Sequence, residues 1–371
     1  MSAAPPERIP LAQPVLGDAE EAGVRAVLQS GRLSLGPRLG EFEAAFAHRL
    51  GVSHACAVSS GTAGLHLALR AAGVSEGDEV ITSPFSFVAS ANVVLYERAR
   101  PVFVDIDPVT LNLRPDAAAA AVGERTAAVL PVHIFGYPAD IPALEKLGLP
   151  LVEDACEALG ALHGDGTAVG ARGHPAVFAF YANKQLTTGE GGMVVVADQQ
   201  TKARIDSERN QGRTPDMGWF DHDRLGFNYR LSDLACALGI AQLQRLDGML
   251  ADRARVAQAY REALAAIEAL GLPCPDADGN RRSWFVFVVQ VPPGADRDET
   301  VRRLGEQNVE SKPYLPAIHL MSFYRERFGH REGEFPVCED VAARSIALPF
   351  FPAMSEGQVA RVAEALAGAL S

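Results

Sequence analysis

Seven short apolar runs punctuate the first two-thirds of this 371-residue chain, near residues 55–58, 79–82, 101–105, 127–132, 150–153, 176–181 and 193–197. Stretches with helical periodicity separate most of them. Regular strand–helix alternation is the signature of a mainly parallel sheet covered by helices on both faces. A long helical stretch, from about Leu231 to Ile267, then leads away from that sheet. After Gly271-Leu272-Pro273 come a strand-like run, Ser283 to Val291, and a closing helix, Ser355 to Leu370, which are expected to form a smaller α/β domain. The expected division is residues 1–245 and 246–371. Ala117 to Val122 reads as a short Ala-rich helix.

Composition narrows the function classes. Apolar residues make up 48% of the chain, and no run is long enough to span a bilayer, so a buried core in water and no membrane partner are expected. A net charge of −12 argues against nucleic acid, whose binding rests on lysines and arginines neutralising phosphates. The five cysteines, an odd number without a C-x-x-C pair, predict reduced thiols. Cys56, Cys156 and Cys236 lie in apolar runs and read as small core residues. The stretch MSAAPPERIPLAQP has neither a charged nor an apolar leader region, which together with the thiols predicts a cytoplasmic protein. Nine histidines show no H-E-x-x-H spacing, and no metal is expected.

Three features point to chemistry. Lys184 follows an aromatic, β-branched run and precedes a Gly-rich turn into Met193 to Ala197. A lysine held between buried strands loses hydration, which favours the neutral amine that attacks a carbonyl to form a Schiff base. Asp154 ends the apolar segment 149–156, and open α/β sheets present ligand contacts at the carboxyl ends of strands. There it could keep the ring nitrogen of pyridoxal phosphate protonated. The plainer alternative is a helix N-cap, with Glu157 three residues on completing a capping box. Third, Ser59-Ser60-Gly61-Thr62-Ala63-Gly64 lies between a strand-like run and a helix with Leu65, Ala68, Leu69 and Ala72 on one face. Backbone N–H groups, hydroxyls and a helix N-terminus make a cradle for phosphate. The segment is neither a G-x-x-x-x-G-K-[ST] loop nor a G-x-G-x-x-G fingerprint.

The ordered set SSGTAGLHLAL, PFSFVASAN, VFVDIDPVTLNL, PVHIFGYPAD, VEDACEALGA, FAFYANKQLTTGEGGMV and GFNYRLSDLACALGIAQL resembles the DegT/DnrJ/EryC1/StrS family of pyridoxal-phosphate-dependent sugar aminotransferases, from Ile9-Pro10-Leu11 into the C-terminal region. Glu157 and the wording FYANK before TTGEGG are most similar to the GDP-perosamine synthase branch. The resemblance implies the aspartate-aminotransferase-like fold, type I. It implies that Lys184 binds the cofactor covalently and shuttles the proton, that Asp154 partners the pyridine nitrogen, and that Phe87 stacks on its ring. Ser60, Gly61 and Thr62 match phosphate-loop positions, and Glu157 stands where many members have Gln or His beside the cofactor's 3-hydroxyl. Asn228 matches a residue reaching the phosphate from a neighbouring subunit, so a homodimer with shared sites is implied. Ala179 departs from the pattern, since many relatives have Ser there; the missing hydroxyl removes a charge-assisted hydrogen bond worth roughly 1.5–3 kcal/mol.

The function this implies is transfer of an amino group from an L-amino acid, such as glutamate, to a keto carbon of a nucleotide-linked sugar. Candidate cations for an anionic nucleotide sugar are Arg230, Arg281, Arg282 and Lys312, with Arg230 favoured because it shares a motif with Asn228. His133 and His319 fall in stretches that lie near the pocket in the family, although a satisfied core histidine is an equal reading of either. A sugar dehydratase, another fold-type-I enzyme such as a desulfurase, and a non-catalytic protein on the same fold are the alternatives. Relatives that dehydrate carry His at the lysine position, and a desulfurase wants a mobile nucleophilic cysteine.

Overall fold

The β-branched and apolar runs pair as the alternation predicts. A computed structural model of the chain describes residues 7–214 and 221–371. The strands of the first part are β1 (His54–Val58), β2 (Glu79–Thr82), β3 (Arg100–Phe103), β4 (Thr126–Leu130), β5 (Glu153–Asp154), β6 (Ala176–Ala179) and β7 (Gly192–Val196). β2 lies parallel to β3 and β4, and β5 parallel to β6. Parallel bridges Val129–Leu151 and Val132–Asp154 join β4 to β5, giving one sheet in the order β3-β2-β4-β5-β6-β7-β1. Only β7 runs against its neighbours. The loop 180–191 between β6 and β7 holds no helix to carry the chain across the sheet, so the chain returns antiparallel.

Two expectations change in detail. The strand expected over 150–153 narrows to Glu153–Asp154, with Leu151 held by a single bridge. Pro150 has no N–H for the ladder, although its carbonyl accepts from Val129 N–H. The helix Gly61–Ala71 is buried at Gly61 and from Ala63 through Leu69 rather than along one stripe. It is sandwiched between β6 and β7 on one side and the helices Ala89–Tyr96 and Gln199–Arg209 on the other. The opposite face of the sheet is packed by Phe178 and Phe180 against Phe42 and Phe46 of the helix Pro37–Leu50.

The helix Asp233–Leu264, capped by the Ser232 hydroxyl, spans residue 245 without a break. At about 1.5 Å per residue it is long enough to serve both parts of the molecule. Its first half packs against the helices Asp18–Ser30 and Pro37–Leu50, and its last turns carry Val256, Tyr260 and Leu264 into a second core. There β8 (Phe287–Gln290), β9 (Lys312–Pro313) and β10 (Ser345–Leu348) form an antiparallel sheet in the order β8-β10-β9. The strand-like run over 283–291 is regular only at its centre. The closing helix Glu356–Leu370 starts at a capping box between Ser355 and Gln358 and buries Val362 and Leu366. No helix among the described residues is long and apolar enough to cross a membrane.

Candidate active site

Asp154 sits at the carboxyl end of β5 and is 5% exposed. Its Oδ2 accepts from the Ser90 hydroxyl at 2.7 Å and its Oδ1 from Cys156 N–H at 3.1 Å, donors that stabilise an ionised carboxylate. The helix-cap alternative is overturned, because no helix starts at 155; the main chain instead stays on the sheet through Ala155 N–H to the Val177 carbonyl. Glu157 is likewise no member of a capping box. Side chains alternate along a strand, so Glu153 points the other way. It is fully buried and paired with His133 Nε2 at 2.9 Å. Ala139 N–H donates to His133 Nδ1, which leaves the ring proton on Nε2 facing the carboxylate. Burial alone would raise Glu153, but the hydrogen bond from His133 holds it below the usual carboxylate range.

Lys184 lies in the β6–β7 loop, its side chain 13% exposed, with Nζ 3.6 Å from Glu157 Oε1 and 3.8 Å from the Phe285 ring centroid. Its N–H donates to the Tyr181 carbonyl. The next residue locks the loop: Gln185 Nε2 donates to the Glu157 carbonyl at 2.5 Å and to the Ser283 hydroxyl at 2.9 Å. Glu157 Oε2 accepts from Phe135 N–H at 2.9 Å. Burial pushes the Glu157 carboxyl above its ordinary range even though the Lys184 ammonium pulls it down. Cys156 lies between these groups. Burial first, then the Asp154 charge, pushes its thiol well up, against the pull of Lys184. It is half-buried rather than a full core residue, unlike Cys56 and Cys236.

Above β6 and β7 lies the Ser/Gly/Thr turn. Ser60 caps the helix Gly61–Ala71, its hydroxyl accepting from Ala63 N–H, while its carbonyl takes Gly64 N–H. That leaves the first-turn N–H groups of Gly61 and Thr62 without a protein partner among the described residues. The turn rests directly on the sheet. A Cβ at Gly192 would lie 2.8 Å from the Ser60 carbonyl, and one at Gly61 would lie 2.8 Å from Ala179 Cβ and 2.9 Å from Cys156 Sγ. Ala179, the departure from the family pattern, is therefore in contact with the cradle. Phe87 is 60% exposed, although the loop around it is tied down by Ser86 and Ser90.

The remaining sequence candidates scatter. Asn228 is exposed and bridges Asn210 through its main chain, while Tyr229 receives Ser59 N–H on its carbonyl. Arg230 pairs with Val58 at the end of β1 and donates to Asn210 Oδ1 and Gln211 Oε1, both at 3.0 Å. Lys312 is exposed on β9, and Arg281 is exposed with its main chain bonded to Leu162. Arg282 is no surface cation: it is buried against the Tyr137 and Trp284 rings and bonded to Cys274. His319 is also buried, with Nε2 3.0 Å from Glu339 and its ring edge-on to Phe335. His133 is engaged by Glu153 in the same way. Sequence reasoning missed Ser90, Phe285 and Gln185. Only Ser90 carried a signal, lying three residues after Phe87 where a helical turn brings the two together. A cleft of about 530 Å³ lies apart from this group, lined by residues including Asp107, His163, Asp165 and Arg172. Its arginines are spent on Asp165 and Asp116.

The residues around Lys184 fit pyridoxal phosphate. Two free helical N–H groups, with main chain pressed to main chain beneath them, suit a phosphate. A carboxylate oriented by two donors suits a ring N–H, and an exposed aromatic ring suits a flat partner. Comparison with known proteins agrees. Residues 14–367 match the DegT/DnrJ/EryC1/StrS aminotransferase family. The chain is 36% identical over 375 residues to the spore coat polysaccharide biosynthesis protein SpsC of Bacillus subtilis, covering 96% of each. Among solved structures it is similar to the aminotransferase TlmJ from Streptoalloteichus hindustanus, with 36% identity, a TM-score of 0.91 and 98% of each chain covered. DesV of S. venezuelae gives 34%, 0.90 and 98% of each chain. This chain belongs to the DegT/DnrJ/EryC1/StrS aminotransferase family and is a pyridoxal-phosphate-dependent aminotransferase of fold type I.

Proposed function

We propose that the enzyme transfers an amino group from L-glutamate, or a similar amino acid, to a keto carbon of a nucleotide-linked 4-keto-6-deoxy sugar. The observation that carries this reading is the half-enclosed Lys184 amine beside Glu157, on the same sheet as Asp154 and the Ser60-Gly61-Thr62 cradle. Pyridoxal phosphate, when bound, supplies an aldehyde that captures amines and a ring that takes up electron density from the adjoining carbon. The protein's residues do the rest. Lys184 Nζ takes the proton from the carbon bearing the amino group and returns it, with the Glu157 carboxyl balancing its charge. Asp154 would hold the ring N–H, Gly61 and Thr62 the phosphate, and Phe87 the ring face. Asn228 would complete the site of a second copy in a homodimer. Arg230 and Lys312 would meet the nucleotide's phosphates. Residues 1–245 would carry the cofactor and 246–371 close the site. Lys184 speaks against the dehydration alternative, and the role of SpsC in spore coat polysaccharide biosynthesis favours a sugar acceptor.

The test is incubation of the purified, cofactor-loaded enzyme with L-glutamate and a panel of GDP-, UDP- and dTDP-linked keto sugars, with products read by mass. One nucleotide sugar should gain an amine in place of its oxo group only when glutamate is present, and Lys184→Ala should form none. Turnover retained by Lys184→Ala, or no aminated product from any nucleotide sugar, overturns the reading.

A further inference from the structure

Arg253 lies within the helix Asp233–Leu264, 4% exposed, with no carboxylate in ion-pair reach among the described residues. An unpaired buried cation is costly, so the interactions it makes instead need a reason. Its fork donates to backbone carbonyls of two separate segments. Nη2 reaches Lys184 at 3.2 Å and Asn183 at 3.4 Å, and Nη1 reaches Phe285 at 3.0 Å and Trp284 at 3.5 Å. Those two segments meet again at their side chains, because Lys184 Nζ stands 3.8 Å from the Phe285 ring centroid. The contacts close a ring: guanidinium to the Lys184 main chain, Lys184 amine to the Phe285 face, and Phe285 main chain back to the guanidinium. A planar fork with donors pointing two ways spans such a gap, whereas a single ammonium or amide engages one side well. Burial draws the guanidinium down to about 10, which leaves it cationic at neutral pH.

We infer that Arg253 is a positioning residue for Lys184, fixing the root of the lysine and the aromatic floor under its amine in one register so that Nζ is held beside Glu157. The inference rests on the reading that Lys184 carries the proton transfers.

The test uses the full-length protein with Arg253→Gln, Arg253→Lys, Phe285→Leu and Lys184→Ala. Melting temperature, kcat and KM are measured on the loaded enzyme. In the apoenzyme, the acylation rate of Lys184 by acetic anhydride is read by peptide mass. Arg253→Gln should lower kcat roughly a hundredfold, the scale of an ångström's misplacement, with a much smaller change in KM. It should also speed acylation of Lys184 over the other lysines, and Arg253→Lys, whose single ammonium engages one side only, should show both effects in weaker form. Phe285→Leu should speed acylation as well. Wild-type kcat and acylation in a folded Arg253→Gln overturn the inference. If that variant does not fold, unchanged acylation in both Arg253→Lys and Phe285→Leu overturns it. Turnover by Lys184→Ala fails the underlying reading instead, and is distinct from an inactive Lys184→Ala beside normal Arg253 variants, which sinks positioning alone.

Discussion

The site divides into a centre and a rim that differ in how far one chain satisfies them. At the centre, Asp154 and Glu157 are buried and Lys184 is half-enclosed, and each has partners within the chain: Ser90 and Cys156, Phe135, and Glu157 with Phe285. At the rim, Asn228 and Phe87 are held firmly by their main chains yet present exposed side chains. A buried polar group must be satisfied where it lies. An exposed side chain on a well-anchored segment has no such need and is free to meet a partner. On the proposed reading, the centre would do its chemistry with residues of one copy, and the rim would be where a cofactor face, a substrate or a second copy adds to it.

The largest effect should come from the centre. Asp154→Ala should cost hundreds-fold or more in turnover, several kcal/mol of transition-state stabilisation. Its stability loss, from stranding the Ser90 hydroxyl and Cys156 N–H, should be only about 1–3 kcal/mol. Turnover near wild type together with that stability loss would reduce Asp154 to a structural acceptor. The rim should behave otherwise. If Asn228 and Arg230 complete a neighbour's site, co-expressed, differently tagged Lys184→Ala and Asn228→Ala/Arg230→Ala chains form mixed dimers with one intact site in two. Random pairing makes about half the dimers mixed, restoring about a quarter of wild-type activity from two nearly inactive parents. Purified mixed dimers no more active than either parent would confine these residues to their own subunit.

The smallest effect concerns the support behind the centre. Burial, then the neighbouring His133, lowers His163 from 6.5 to about 4. Protonating it is harder folded than unfolded, so the unfolded chain binds more protons between those values and stability falls as pH drops through that window. His163→Gln should therefore show a shallower loss of melting temperature on acidification from pH 6.5 to 4 than wild type. Parallel profiles for the two proteins would remove His163 from the acid limb.

Legibility followed the same division between local and distant. The seven strands and the closing helix were readable because their apolar periodicity is local, and Lys184 and Asp154 stood out as candidates because strand ends in α/β sheets gather ligand groups. Arg253 was not, since its partner lies 69 residues away in sequence; Ser90 had only its local turn contact with Phe87, its partner Asp154 lying 64 residues on. Arg253 looks in sequence like Arg245 and Arg255, and only the packing of Phe285 and Phe350 shows which arginine is buried. Arg282 and His319 were left open for the converse reason: sequence does not show whether a polar residue within a motif faces a ligand or an internal partner, and here Cys274 and Glu339 engage them.

The contact of main chain with main chain at Ser60, Gly61 and Gly192 limits how this enzyme can change. No L side chain fits at Gly61 or Gly192 without separating the turn from the sheet, so the anion cradle is a fixed part that mutation can break but hardly retune. A directed library seeking new sugar acceptors gains nothing from randomising it. Diversity belongs at Lys312, whose exposed side chain can change without disturbing the core.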